Sequence, residues 1–185
     1  MDFYVVDTET TGFNPERNDV IEVAVLQVMD TNDNKFLVKK KFQTYVNPQY
    51  PLPPEIVEFN QKNQTGITDE VLAKAPYAYQ AANMLYDFIG DYPLIVGHNF
   101  AKFDAKFIDK LYNRAGLLFN CRIIDTLNLS RELIPNGSHK LGDLFEKTAK
   151  RHSGDTPKFH SALADCYATL DLLEYLSELK RVSMK

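Results

Sequence analysis

The chain has 185 residues, of which 44% are apolar, with a formal net charge of −4 and two cysteines. This suits one soluble globular domain with a sizeable core, and it excludes collagen-like, low-complexity and disordered classes. No apolar run approaches the roughly 20 residues a membrane helix needs, and a secretory leader is not recognisable at the N-terminus. The acidic balance argues against a broadly basic nucleic-acid coat protein, although a carboxylate-built site also adds negative charge that bound metals reverse locally. Cys121 and Cys166 are too few for a disulfide framework or a zinc site. They read as reduced core thiols of a cytoplasmic protein, with one structural disulfide as the alternative.

Residues 3–8 are apolar and β-branched and read as a buried strand. A loop with Gly12, Asn14, Pro15 and Asn18 follows. Residues 20–29 predict a second strand, 30–34 a turn, and 35–46 a third strand that makes a meander with the second. Prolines at 48, 51, 53 and 54 break the sheet pattern. Pro54 suits the first turn of a short helix over 54–60. Residues 66–75 lead to another short helix, which Thr68 can cap. Ala81, Leu85, Phe88 and Ile89 fall at helical spacing over 78–90.

Residues 94–96 form a short strand ending at Gly97. A helix over 102–115 then presents Phe103, Phe107, Ile108 and Leu111 on one face. Residues 121–124 predict another strand, with helices near 125–133 and 140–150. The last helix, over 161–180, carries the stripe Ala162, Cys166, Leu170, Leu173, Leu176 and Leu179. Antiparallel strands first, then alternating strands and helices, predict an α/β fold whose mixed sheet is flanked by helices, in one domain over 1–185.

Asp7 and Glu9 lie two apart on a strand, so both project to one face. Two acids on an apolar strand are costly to bury unpaired. A salt bridge is one remedy, but no basic residue lies nearby in sequence. A divalent cation such as magnesium or manganese is the better partner. In Thr10-Thr11-Gly12 the glycine lets backbone approach a ligand closely. The hydroxyls and N–H groups there could bind a terminal nucleotide, though these are also ordinary loop residues. Asp104 follows a strand and starts a helix: either a ligand in the crevice beyond the strand ends, or an acid favoured by the helix dipole.

His160 and Asp165 are separated by about 140° on a helix, so they do not share a face. His160 is placed in the preceding loop, with Ser161 capping and Asp165 holding a metal. Taken singly, an exposed loop histidine and an ordinary first-turn acid remain open. Together, four acids and a histidine fall at three places, each at a strand end or helix start. A two-metal phosphodiester site would take its ligands from such places.

The string Asp7-Thr8-Glu9-Thr10-Thr11-Gly12 resembles the first motif of the DEDD-type 3′→5′ exonucleases. This family includes the proofreading epsilon subunit of bacterial DNA polymerase III. Gly97-His98-Asn99-Phe100-Ala101-Lys102-Phe103-Asp104 resembles the second motif. His160 through Asp165 resembles the third, in the variety that uses histidine. Thr65-Gly66-Ile67-Thr68-Asp69-Glu70 and Asp125-Thr126-Leu127 also match family loops, and the likeness covers essentially the whole chain.

The resemblance implies a ribonuclease-H-like fold and hydrolysis of DNA from its 3′ end, releasing nucleoside 5′-monophosphates with two divalent ions, Mg2+ or Mn2+. It implies that Asp7 bridges the ions, that Glu9 and Asp165 hold the first, and that Asp104 supports the second. His160 would be the general base. Thr10, Thr11 and Gly12 would hold the terminal nucleotide, with Phe13, Thr65, Ile67, Asn99 and Phe103 as further substrate contacts. Many members have one residue fewer between the His-Asn and Phe-Asp pairs, and Phe100 is the extra one here.

Other readings are an exoribonuclease and, in a different class, a nucleic-acid-binding module without catalysis. Lys102, Lys106, Lys110 and Arg114 recur every four residues as a slanted basic band, either a solvated face or a track for phosphates. Leu144-Phe145 faintly resembles a sliding-clamp peptide but reads as core. Val182 through Lys185 are placed beyond the last helix, so no long tether to a DNA polymerase partner is expected. A monomer, either stand-alone or cut from a longer protein, is favoured.

Overall fold

Valine, isoleucine and phenylalanine crowd the first quarter of the chain, and β-branched and aromatic side chains favour the pleated backbone. In the computed structural model, which describes residues 2–31, 35–154 and 159–183, this part forms strands β1 (Asp2–Thr10), β2 (Val20–Asp30) and β3 (Phe36–Tyr45). The turn expected at 30–34 includes residues 32–34, outside the described set. Both pairings are antiparallel, and the β1–β2 register shifts between Glu9 and Thr10.

The prolines end the sheet as expected, and α1 (Pro54–Asn63) starts on Pro54. A short α2 (Asp69–Leu72) is capped by the Thr68 side chain, which accepts the Val71 N–H. Next come α3 (Ala78–Ile89), β4 (Leu94–Gly97), α4 (Asp104–Asn113) and β5 (Arg122–Asp125). The chain continues through α5 (Thr126–Leu133) and α6 (Leu141–Phe145) to α7 (Ala162–Ser183).

β4 pairs parallel with β1, and β5 with β4, so the five-stranded sheet has the order β3-β2-β1-β4-β5. Alternation along the strands divides the core. Val6, Val23, Val25 and Ile95 pack against α3 and α4. Phe3, Val5, Ala24, Leu26 and Val96 pack against the Ala162, Cys166, Leu170 and Leu173 stripe of α7. α6 packs on the far side of α7 through Leu144, Leu172 and Leu176. Phe145 is also buried, so the Leu144-Phe145 pair is core.

Several boundaries differ from the sequence reading. α4 begins at Asp104 rather than 102, because residues 99–103 are held in a turn described below. α6 stops at Phe145, where the Thr148 hydroxyl donates to the Phe145 carbonyl and Lys150 takes a positive φ of 53°. α7 runs through Ser183, so Val182 and Ser183 belong to the helix. Both cysteines are free; Cys166 is buried with its thiol against the Val5 and Ala24 carbonyls, and Cys121 is half-buried. Among the described residues no helix is long and apolar enough to cross a membrane.

Candidate active site

The alternation that divides the core also divides the first motif. Phe3 and Val5 face α7, so Asp7 and Glu9 face it too. Asp165 stands in the first turn of α7. Ligand oxygens of Asp7, Glu9 and Asp165 all lie within 4.8 Å of one another. No lysine or arginine among the described residues forms an ion pair with them.

Burial is the first cause of raised carboxyl pKa values here, and mutual repulsion adds to it. Asp7 is pushed well above the usual range by burial and by Asp104, Asp165 and Glu9. Glu9 is pushed to about 8. Asp165 is pushed to about 7, although the His160 N–H it accepts at 3.2 Å acts the other way. Asp165 Oδ1 is buried and has no hydrogen-bond partner among the described residues. An orphaned carboxylate oxygen among repelling acids fits a hard divalent cation.

Asp104 comes from the other face of the sheet. β1 pairs with β4 only at Tyr4 and Val5, and beyond that point the Thr8 N–H needs another acceptor. Asp104 Oδ1 supplies it at 3.1 Å and also takes the Thr8 hydroxyl at 2.6 Å. Asp104 is buried and its pKa rises to about 7, with the Thr8 bonds opposing the effect of burial. It therefore flanks the cluster of three rather than joining it, while lying close enough to repel Asp7.

The turn before Asp104 is organised from β5. The Asp125 carboxylate accepts N–H groups of Asn99 (3.1 Å) and Ala101 (3.2 Å), and of Leu127 at 3.0 Å as cap of α5. Asn99 sits at a positive φ of 63°. Phe100, the additional residue of this motif on the sequence reading, is fully buried. Its side chain lies so close to Gly97 that a Cβ there would be 2.7 Å from Phe100 Cβ.

His160 is exposed at the entrance of α7, at a positive φ of 70°. Its ring meets the edge of Phe59 from α1, with centroids 5.0 Å apart. The first N–H of α7, from Ala162, goes to Glu22 Oε2 at 3.2 Å, so a buried acid from β2 serves the end where Ser161 was expected to cap.

The loop after β1 differs in detail from expectation. The Thr10 hydroxyl donates to the Gly12 carbonyl at 2.7 Å, and Thr11 Oγ1 accepts the Asp19 N–H at 3.0 Å. These hydroxyls shape the loop rather than standing free for a ligand. Phe13 is 90% exposed, its ring 6.4 Å from that of Phe103, which packs in turn on Phe107. Ile67 is buried with Ile21, Leu52 and Leu72 and has little surface left for a nucleotide. The Thr65 hydroxyl accepts the Ile67 N–H. In the basic band, Lys102, Lys106 and Arg114 are exposed, but Lys110 is drawn into an ion pair with Asp19.

Sequence reasoning missed Glu22, which is buried directly opposite Glu9 and receives Gln43 at 2.6 Å. Its signal was an acid on the core-facing phase of an otherwise apolar strand. Thr8, Phe59 and the holding role of Asp125 were also missed.

An exonuclease family model, RNase_T, matches residues 4–173. DNA polymerase III subunit epsilon of Pasteurella multocida is 30% identical over 177 residues, covering 91% of this chain and 65% of that protein. DNA polymerase III PolC-type of Halalkalibacterium halodurans is 34% identical over 174 residues, covering 93% of this chain and 11% of that protein. The chain thus spans less than two thirds of either relative. Among solved structures, Exonuclease I of E. coli in complex with a dT13 oligonucleotide superposes with a TM-score of 0.78 at 21% identity, over 99% of this chain and 42% of that one. The shared architecture is the ribonuclease-H-like mixed sheet with flanking helices.

Proposed function

The chain belongs to the RNase_T exonuclease family, and on that footing we propose that it removes nucleotides stepwise from the 3′ end of DNA, releasing nucleoside 5′-monophosphates. The observation that carries this reading is the convergence of Asp7, Glu9 and Asp165 within 4.8 Å, flanked by Asp104. DNA is favoured as substrate because the relatives are named as subunits or types of DNA polymerase III, and the solved neighbour is bound to a DNA oligonucleotide. Single-stranded or mismatched 3′ ends, and a polymerase partner, belong to the same reading.

Asp7, Glu9 and Asp165 would hold one divalent ion, and Asp7 with Asp104 a second, magnesium or manganese by the all-oxygen donor set. Bound there, the ions supply positive charge for the attacking and leaving oxygens of an in-line displacement. Thr8 keeps the Asp104 carboxylate turned to the strand end. The imidazole of His160 takes the proton of the attacking water. Phe59 limits where that ring can point. Phe13, backed by Phe103, offers a face on which the terminal base stacks.

The test gives the purified protein 5′-labelled single-stranded DNA, duplex DNA with a mismatched 3′ end, and RNA, each with magnesium, manganese or chelator. A metal-dependent ladder shortening from the 3′ end of DNA is expected. Attack on RNA alone would move the activity to 3′ trimming of RNA. No cleavage with either metal would refute the reading.

A further inference from the structure

Lys110 lies about two turns along the helix that begins with Asp104. Its ammonium is 2.8 Å from Asp19 Oδ1 and donates to the Asn18 carbonyl at 2.8 Å. Asn18 and Asp19 are the far end of the loop that leaves β1 after Thr10. Across that loop, the Thr11 N–H donates to the Asp19 carbonyl at 2.9 Å, and the Asn18 amide donates to the Thr11 carbonyl at 3.1 Å.

Tyr50 completes the assembly from a third segment. Its hydroxyl donates to Asp19 Oδ2 at 2.8 Å and lies 2.9 Å from Thr11 Oγ1. The directions follow from the proton count. Tyr50 spends its one proton on the carboxylate, so the Thr11 hydroxyl donates to Tyr50 while accepting the Asp19 N–H. Gly12 rests against the Asn18 side chain, where a Cβ would be only 2.7 Å away. Lys110 and Asp19 have side chains only 26% and 25% exposed, so solvent and salt weaken this pair less than an open surface pair.

We infer that Lys110 is a positioning residue that ties the Asp104 helix to the loop 10–19, and so sets where the 3′-terminal nucleotide sits against the carboxylates. This rests on the reading of residues 10–13 as the seat of that nucleotide. The lysine acts through Asp19, Asn18 and Thr11 and touches no substrate itself. It differs from Lys106 on the same helix and Lys102 in the turn before it, which are exposed.

The test compares two substrates with manganese: a single-stranded oligonucleotide, and the p-nitrophenyl ester of thymidine 5′-monophosphate, which has one nucleotide and no upstream backbone. Lys110→Met keeps the stem and removes the charge. Tyr50→Phe removes only the bridging hydroxyl, at a residue 39% exposed, so the fold is expected to tolerate it. Both variants should raise KM about tenfold on both substrates, with the half-saturating manganese concentration unchanged. Lys110→Arg should restore most of the loss.

Unaltered ester kinetics in both variants would overturn the inference. A loss confined to the oligonucleotide, with a changed salt dependence, would make Lys110 a phosphate contact and overturn it too. So would an equal collapse of manganese binding, which would mean that the whole site had come apart. A wild-type protein inactive on both substrates would refute the proposed function instead, which keeps the two failures distinct.

Discussion

Asp104 Oδ1 accepts both the backbone N–H and the hydroxyl of Thr8, at 3.1 and 2.6 Å. One carboxylate oxygen thereby ties the start of α4 to the residue between Asp7 and Glu9, which points to the opposite face. The bond closes the edge of β1 at the place where β4 no longer pairs with it.

Replacing Thr8 with valine removes one donor and leaves the other. The Thr8 bonds lower the pKa of Asp104 against its burial, so losing one raises it further. Thr8→Val should cut kcat by roughly tenfold at neutral pH and move the acid limb of the rate–pH profile upward. Thr8→Ser should retain both. An unshifted acid limb in Thr8→Val would show that the hydroxyl does not tune Asp104.

The raised carboxyls also predict how stability depends on pH without metal. Below about pH 4 the folded and unfolded chains both hold these protons. As pH rises the unfolded chain releases them first, so the native state binds more protons and loses stability. The loss continues through about 7, for Asp104 and Asp165, to about 8, for Glu9. Manganese should therefore raise the melting temperature more at about pH 8.5 than at about pH 5.5. The gap should narrow in Glu9→Gln. An equal gain at both pH values would count against these shifts.

Asp165→Ala should lower turnover by roughly a thousandfold. In chelator the same variant should melt no lower than wild type, because it removes one of several repelling charges. Turnover within a few-fold of wild type would remove Asp165 from the site.

His160→Ala should cut kcat by roughly a hundredfold or more and leave manganese binding intact. Calorimetry showing metal affinity lost with it would make the histidine a ligand instead. Phe59→Ala should lower kcat about fivefold through the freed ring, a smaller effect because edge contacts are worth only about 1 kcal/mol.

Much of this fold was legible because its strands and helices carry clean periods. β1 and β2 were readable from their β-branched runs, α1 from Pro54 and α7 from its stripe, since each depends on near neighbours. The ends of α4 and α6 were not, because Asp125 and Thr148 decide them through bonds that no periodicity records. Ile67 matched a family loop by spelling, yet its side chain is spent on a small apolar cluster.

The chain alone determined that Asp7 and Glu9 share a face, because a strand repeats every second residue. That period says nothing of which acids meet them; Asp104 and Asp165 were chosen over their ordinary readings only by resemblance, and Glu22 was not named at all. Pairing of β1 with β2 set Glu22 opposite Glu9, and packing of α7 on that face brought Asp165 alongside. The end of β4 left Thr8 to be claimed by Asp104 across 96 residues of chain. Register and packing between distant segments are tertiary quantities, settled by what the whole sheet buries rather than by any local run of residues.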